Sequence, residues 1–266
     1  MKTEKSCYTK DRKRGDMMLK ESPFIPNAKA DALIIAGNAD EEIINNLKKF
    51  NIEIIPTVKC SDVYDEIAFH PDVVIHPINR HTLVVAPNVY EYYEEIFKNK
   101  PIKLIKGEKK LNRNYPDDIA YNVARTARYA IHNLEYMDEK LKYYLQKEGV
   151  QFINANQGYS KCSTAIIDDN AIITSDPSIY RTCLELDIDI LYIESGFIKL
   201  PGFDYGFIGG ATGAISNNEI LFTGKYDNHP NSKDINIFLN KYGKKAIIIS
   251  NKKIIDIGSI IPLEYN

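Results

Sequence analysis

No apolar run in the 266-residue chain approaches the ~20 residues that a membrane-spanning helix needs, and the N-terminus lacks the apolar core of a secretion signal. The chain is therefore expected to be cytoplasmic, with no membrane partner. It also has no charge excess of either sign: 34 basic against 36 acidic side chains leave a formal net charge of -2, which gives no global case for nucleic acid as a partner. The first twenty residues are locally basic through Lys10, Arg12, Lys13 and Arg14. Residues 1–21 are read as a loose tail and 22–266 as a single domain. Cysteine is scarce. Cys7, Cys60, Cys162 and Cys183 show no CxxC spacing, so neither a disulfide framework nor a structural zinc site is expected, and no metal or cofactor is implied. Hydrophobic residues make up 44%, enough for a sizeable core.

What the chain does have is a repeat. Ala32–Ala36, a helix Glu41–Phe50 capped by Asp40, and Glu53–Val58 read as β-α-β. Four longer units follow with an extra strand in front. The first is Asp72–Ile78 and Thr82–Ala86 joined across Asn79-Arg80, a helix capped by Asn88 and running to Lys98, then Ile102–Lys106. The next is Asp118–Ala124, Ala127–His132, helix Tyr136–Lys147 and Val150–Ala155. Ser163–Asp168, Ala171–Ser175, helix Pro177–Leu186 behind an Asp176 cap, and Ile190–Glu194 repeat it. Gly210–Ser216, Glu219–Thr223, helix Lys233–Tyr242 and Ala246–Ser250 repeat it again, so the period is roughly 45 residues. Only the first unit lacks its leading strand, and the apolar run Ile254–Ile260 is unclaimed. That run is expected to return to the first unit and close a ring.

Around such a ring, equivalent positions converge. Seven residues before the turn residues Asn79, Arg125, Asp169 and Asn217 stand Asp72, Asp118, Cys162 and Gly210, with Asp117 competing for the place of Asp118. Strand alternation adds His76 to Asp72 and Asn122 to Asp118. Cys162 lies in Gln157-Gly158-Tyr159-Ser160-Lys161-Cys162-Ser163, where Lys161 would favour a thiolate and Gly158 allows close backbone approach. A thiol, two carboxylates and an imidazole suit a planar cation: the carboxylates grip a guanidinium or amidinium, the sulfur attacks its carbon, and a histidine exchanges protons with the leaving amine. His229, in the loop before the last helix, is an alternative base to His76; the competing account is that it fixes a turn beside Pro230.

Other groups have plainer accounts. The glycines of residues 206–213 precede a strand, not a helix, so they are no nucleotide loop. His70, His76 and His81 fit no zinc signature, and Cys183 has core spacing. Tyr92, Tyr93, Tyr143 and Tyr144 suit helix packing or a homodimer contact.

Five β-β-α-β units about an axis resemble the pentein fold, the five-bladed α/β propeller of guanidino-group-modifying enzymes: amidinotransferases, arginine and agmatine deiminases and dimethylarginine hydrolases. His70-Pro71-Asp72, Tyr115-Pro116-Asp117-Asp118, the stretch around Cys162 and Gly206-Phe207-Ile208-Gly209-Gly210-Ala211-Thr212-Gly213 also resemble an uncharacterised bacterial family of that fold. The resemblance covers nearly the whole chain after about residue 22 and implies a hydrolase or amidinotransferase acting on a small cationic ligand. In the characterised enzymes the nucleophilic cysteine comes late, whereas none follows Cys183 here, so that role cannot be carried over. The same fold also serves ribosome anti-association factors, which keeps a non-catalytic, ribosome-associated binding protein as the alternative.

Overall fold

The computed structural model describes residues 22–265. The basic tail expected over 1–21 lies outside them. In the first unit β1 (Ala32–Ile35), α1 (Glu41–Lys48) and β2 (Glu53–Pro56) form the β-α-β crossover, with the Asp40 carboxylate accepting from the Glu42 N–H at the helix start. The second unit begins with a single helical turn, α2 (Pro71–Val74), before β3 (Ile75–Asn79), β4 (Thr82–Val85), α3 (Tyr90–Phe97) and β5 (Lys103–Lys106). The third holds β6 (Ala124–Arg125), β7 (Tyr129–His132), α4 (Glu139–Lys147) and β8 (Gln151–Asn154). The fourth again starts with one turn, α5 (Ser160–Ser163), then β9 (Thr164–Asp168), β10 (Ala171–Thr174), α6 (Pro177–Cys183) and β11 (Asp189–Tyr192). The fifth is β12 (Thr212–Ser216), β13 (Glu219–Phe222), α7 (Ser232–Lys241) and β14 (Lys245–Ile248), after which β15 (Ile261–Leu263) ends the chain.

These strands make five sheets of three, each with an antiparallel hairpin and a parallel crossover. In the first sheet the antiparallel member is β15, pairing Ala32 with Leu263 and Ile34 with Ile261. The return to the first unit therefore occurs, and each of the five described sheets has an antiparallel inner strand. The strand that returns is shorter and later than Ile254–Ile260; residues 254–260 cross the end of the ring as a loop, bridged to Lys199 and Lys225. The inner strands are buried and lean on one another, β12 against β9 and β15, and β6 against β9. The outer strands β2, β5 and β8 repeat one pattern of exposed, half-buried, buried and exposed residues. Alternation with period 2 puts the apolar third residue of each on the helix-covered core. This is the five-bladed propeller of the pentein fold.

Two local expectations change. Asn88 does not cap α3; its amide bridges to Leu111, donating to the carbonyl at 3.0 Å and accepting from the N–H at 2.8 Å, and so ties down the loop after β5. Asp118 to Val123 is not strand. Its backbone bonds locally, Asn122 N–H to Ile119 O and Val123 N–H to Tyr121 O, and the turns drive Asn122 towards the axis. No described helix is long and apolar enough to cross a membrane.

Candidate active site

The two single-turn helices carry the centre. Each precedes an inner strand, and all four residues of each are buried, including Asp72 and Lys161. Hairpin pairing sets their true register: Ile75 faces Val85, Thr164 faces Thr174 and Thr212 faces Phe222. Three residues before these strand starts stand Asp72, Lys161 and Gly209, so Asp72 and Lys161 share a repeat position, while Cys162 shares the next one with Val73 and Gly210. Alignment of Asp72 with Cys162 is thus out by one residue. The cause is the second hairpin, which closes on the pair Asn79 and Thr82, leaving Arg80-His81, not Asn79-Arg80, as its two-residue turn.

Asp72 and Cys162 nevertheless meet, and more closely than a shared position would require. The thiol of Cys162 lies 3.1 and 3.0 Å from the two carboxylate oxygens of Asp72. The amide of Asn122 locks the pair: its Nδ2 donates to Asp72 Oδ1 at 3.1 Å and to Cys162 Sγ at 3.2 Å, while its Oδ1 accepts the N–H groups of Lys161 and Cys162 at 2.7 and 3.2 Å. Lys161 turns away from the sulfur. Its Nζ donates to Gly209 O at 3.2 Å and to Ser259 Oγ at 2.9 Å, and Ser259 Oγ lies 2.5 Å from Asp72 Oδ2. Ser259 comes from the loop that precedes β15.

The same loop supplies Asp256. Its carboxylate accepts from the Gly258 and Phe207 N–H groups, both at 2.9 Å, and stands 3.9 Å from His70 Nδ1. His70, Cys162 and Asp256 place one donor atom each within 4.8 Å of the others, a nitrogen, a sulfur and an oxygen that could share one ion. Two glycines make this possible. A Cβ on Gly210 would fall 1.9 Å from Asp256 Oδ1, and one on Gly258, which also has φ +73°, would fall 2.2 Å from His70 Cβ. His70, Asp256 and Ser259 were not among the residues expected here; the signal was the break of an apolar run by Asp256, Gly258 and Ser259.

Burial dominates the electrostatics. It pushes the Cys162 thiol well above its ordinary value, and the Asp72 and Asp256 charges push the same way. The expected thiolate beside Lys161 is replaced by a protonated thiol donating to Asp72. Burial also raises Asp72, against the pull of His70 and Lys161, and raises Asp256 to about 6. It lowers His70 to about 4 despite the neighbouring Asp72. Burial lowers Lys161 in the same way, so the desolvated centre disfavours each charge and favours a ligand that brings a positive charge to the two carboxyl groups.

A cavity of about 290 Å³ opens on this centre, and its walls include Cys162, His70, Asp256, Tyr159, Phe203 and Tyr205. A larger one of about 530 Å³ shares His70, Leu200 and Asp256 with it but is not lined by Cys162, so the smaller one carries the chemistry. The remaining expected residues lie behind or away from it. Asp118 is buried behind the wall, its Oδ2 accepting from the Tyr159 hydroxyl at 2.6 Å, whereas Asp117 is exposed. His76, on β3, is buried against Phe24, with Arg125 and Lys161 among the cations near it; because Asp72 sits on a helical turn, strand alternation does not join the two. His229 accepts from Asn231 N–H at 3.0 Å and, through Nε2, bonds Glu194 O at 3.1 Å, which is turn-fixing geometry.

Comparison with known proteins agrees with this geometry at the level of the fold. The model of a family of unknown function, DUF6873, matches residues 34–261. No curated protein is similar in sequence. Among solved structures, a cysteine-to-serine variant of the agmatine deiminase of C. jejuni with substrate bound superposes with a TM-score of 0.55 at 12% identity, over 91% of this chain and 96% of that one. The inosamine-phosphate amidinotransferase of Streptomyces griseus gives 0.52 at 9% identity, over 92% and 97%. A histidine-to-glycine variant of dimethylarginine dimethylaminohydrolase, as an adduct with S-methyl-L-thiocitrulline, gives 0.51 at 12%, over 82% and 92%.

Proposed function

From a chain that belongs to the DUF6873 family and folds as the guanidino-modifying enzymes do, we propose an enzyme that opens a guanidine or amidine through a covalent bond to Cys162. The observation that carries this is the presence of Cys162, His70 and Asp256 on the wall of one cavity, with Asp72 in contact with the sulfur. A planar cation entering there brings the positive charge that Asp72 and Asp256 lack. It also lowers the cost of ionising the thiol. Sγ bonds to the amidinium carbon, His70 takes the thiol proton and hands it to the departing amine nitrogen, and the carbon–nitrogen bond breaks to leave a thiouronium on Cys162 from a guanidine, or a thioimidate from an amidine. Water or an acceptor amine then releases it, giving hydrolysis or amidino transfer. His70 takes the part that His76 and His229 were expected to play, and Asp256 joins Asp72 in place of Asp118.

Treatment with 2-chloroacetamidine followed by peptide mass spectrometry tests this. Cys162 is expected to carry the label, guanidines to protect it, and His70→Ala to slow labelling; a label spread over the other cysteines with Cys162 untouched rules the role out. One observation favours a second reading, a binding protein without turnover: Cys162 is 3% exposed, and burial, with the Asp72 and Asp256 charges, pushes its thiol well above the ordinary value. On that reading guanidines bind and Cys162→Ala binds them equally well.

A further inference from the structure

The mouth of the cavity beside Cys162 is aromatic. Tyr159, Phe203, Tyr205 and Phe207 line it. Phe203 and Tyr205 remain 48% and 40% exposed although the backbone carrying them is pinned, Phe203 N–H to Leu200 O at 3.1 Å and Gly206 N–H to Ile198 O at 2.8 Å. Their rings are propped edge-on, Phe203 against Tyr64 and Tyr205 against Phe207, with centroids 6.4 and 6.1 Å apart. Large apolar rings held in place and left in water beside a reactive floor mark a surface that a ligand covers.

Charge narrows the ligand further. The formal charges on the cavity wall are both carboxylates, Asp204 at the mouth and Asp256 at the floor. Among the described residues no lysine or arginine lines the wall, and the ammonium of Lys161 is spent on Gly209 O and Ser259 Oγ. A carboxylate on the ligand would meet Asp204 with no counter-charge. With a volume of about 290 Å³, the cavity is at the small end for ligand sites.

We propose that the site takes a guanidine or amidine whose substituent is a flat apolar group, an aryl or aralkyl, and which carries no carboxylate. The cation rests against Asp256 beside Cys162, with Asp72 behind the sulfur, and the apolar group lies among Phe203, Tyr205 and Tyr159, where area burial and cation–π attraction add. This rests on the location of the cation site argued above and names what else the ligand must carry.

The test is a competition series. Benzylguanidine, methylguanidine, agmatine and L-arginine are compared as protectants of Cys162 against 2-chloroacetamidine and, independently, by the shift each gives in the thermal unfolding midpoint. Benzylguanidine is expected to half-protect at a concentration about tenfold below agmatine and L-arginine. Phe203→Ala and Tyr205→Ala, both at exposed positions, are expected to erase most of that preference, weakening benzylguanidine far more than methylguanidine. Agmatine or L-arginine acting at equal or lower concentration overturns the apolar-group assignment, as does a preference that survives both substitutions. If Cys162 is not labelled at all, the covalent role fails, and the midpoint shifts alone decide the ligand preference.

Discussion

The two single-turn helices, Pro71–Val74 and Ser160–Ser163, are the same piece of backbone used twice with opposite charge. Each is four residues long, each leads into a buried inner strand, and each places its second residue on the axis. One supplies Asp72 and the other Lys161, and both reach Ser259. The repeat therefore fixes where a side chain arrives, while residue choice in each unit fixes what arrives. Pairing the opposite charges through a serine keeps either from being stranded in a dry centre. The next position adds the asymmetry that chemistry needs, a thiol in one unit against Val73 and Gly210 in others.

The largest break in this pairing is removal of the loop that brings both turns together. Deleting residues 253–266 takes away Ser259, Asp256 and β15 at once and is expected to abolish cooperative unfolding, measured by circular dichroism on heating. Next, Lys161→Met should cost about 3–5 kcal/mol in urea unfolding because it takes the cation out of the buried centre it shares with Asp72 and Asp256; Lys161→Met with Asp72→Asn should recover most of it. A double variant no better than the single one would mean that the two turns are not coupled.

A smaller effect is read against pH. Asp256 has a folded value of about 6 against an ordinary 3.8, so between about pH 4 and 6 the folded protein holds a proton that the unfolded chain has lost, and stability falls as pH rises. His70, lowered to about 4, acts with opposite sign over about pH 4 to 6.5. Asp256→Asn removes the first contribution, so relative to wild type the variant should gain about 2–3 kcal/mol as pH goes from 4 to 6. Parallel curves would show that Asp256 is not buried as a carboxyl. Smallest is Ser259→Ala, about 1–2 kcal/mol, since each charge keeps its other partners. The thiol has its own signature: alkylation of Cys162 in the free protein should rise only above the ordinary thiol range of ~8.5.

Much of this was legible in the chain. The β-β-α-β period, the missing first strand and the unclaimed apolar end led to a closed ring because hydrophobic periodicity and unpaired edges are local properties with global consequences. Cys162 stood out because no apolar period claimed it. What could not be read was register and loop path. A hairpin that closes one residue later than its Asn79 suggested shifts every inward position, and nothing in the local pattern distinguishes the two turns. His70 and Asp256 escaped because each belongs to a segment whose neighbours are apolar, Ala68-Phe69 in one case and Ile254-Ile255 in the other, and only the crossing of the final loop over the axis brings them to the sulfur. Asp118 was read as a cation ligand on strand geometry that the segment does not adopt.

The crossing loop also orders events during synthesis. Asp256, Gly258 and Ser259 leave the ribosome after Asn122, Gly209 and Gly210, which also touch Asp72, Lys161 or Cys162, so a chain arrested short of them presents its sulfur without a neighbouring histidine–carboxylate pair and with the ammonium lacking its serine. The His70–Asp256 pair beside Cys162 is thus assembled only after residues 256–259 have been added.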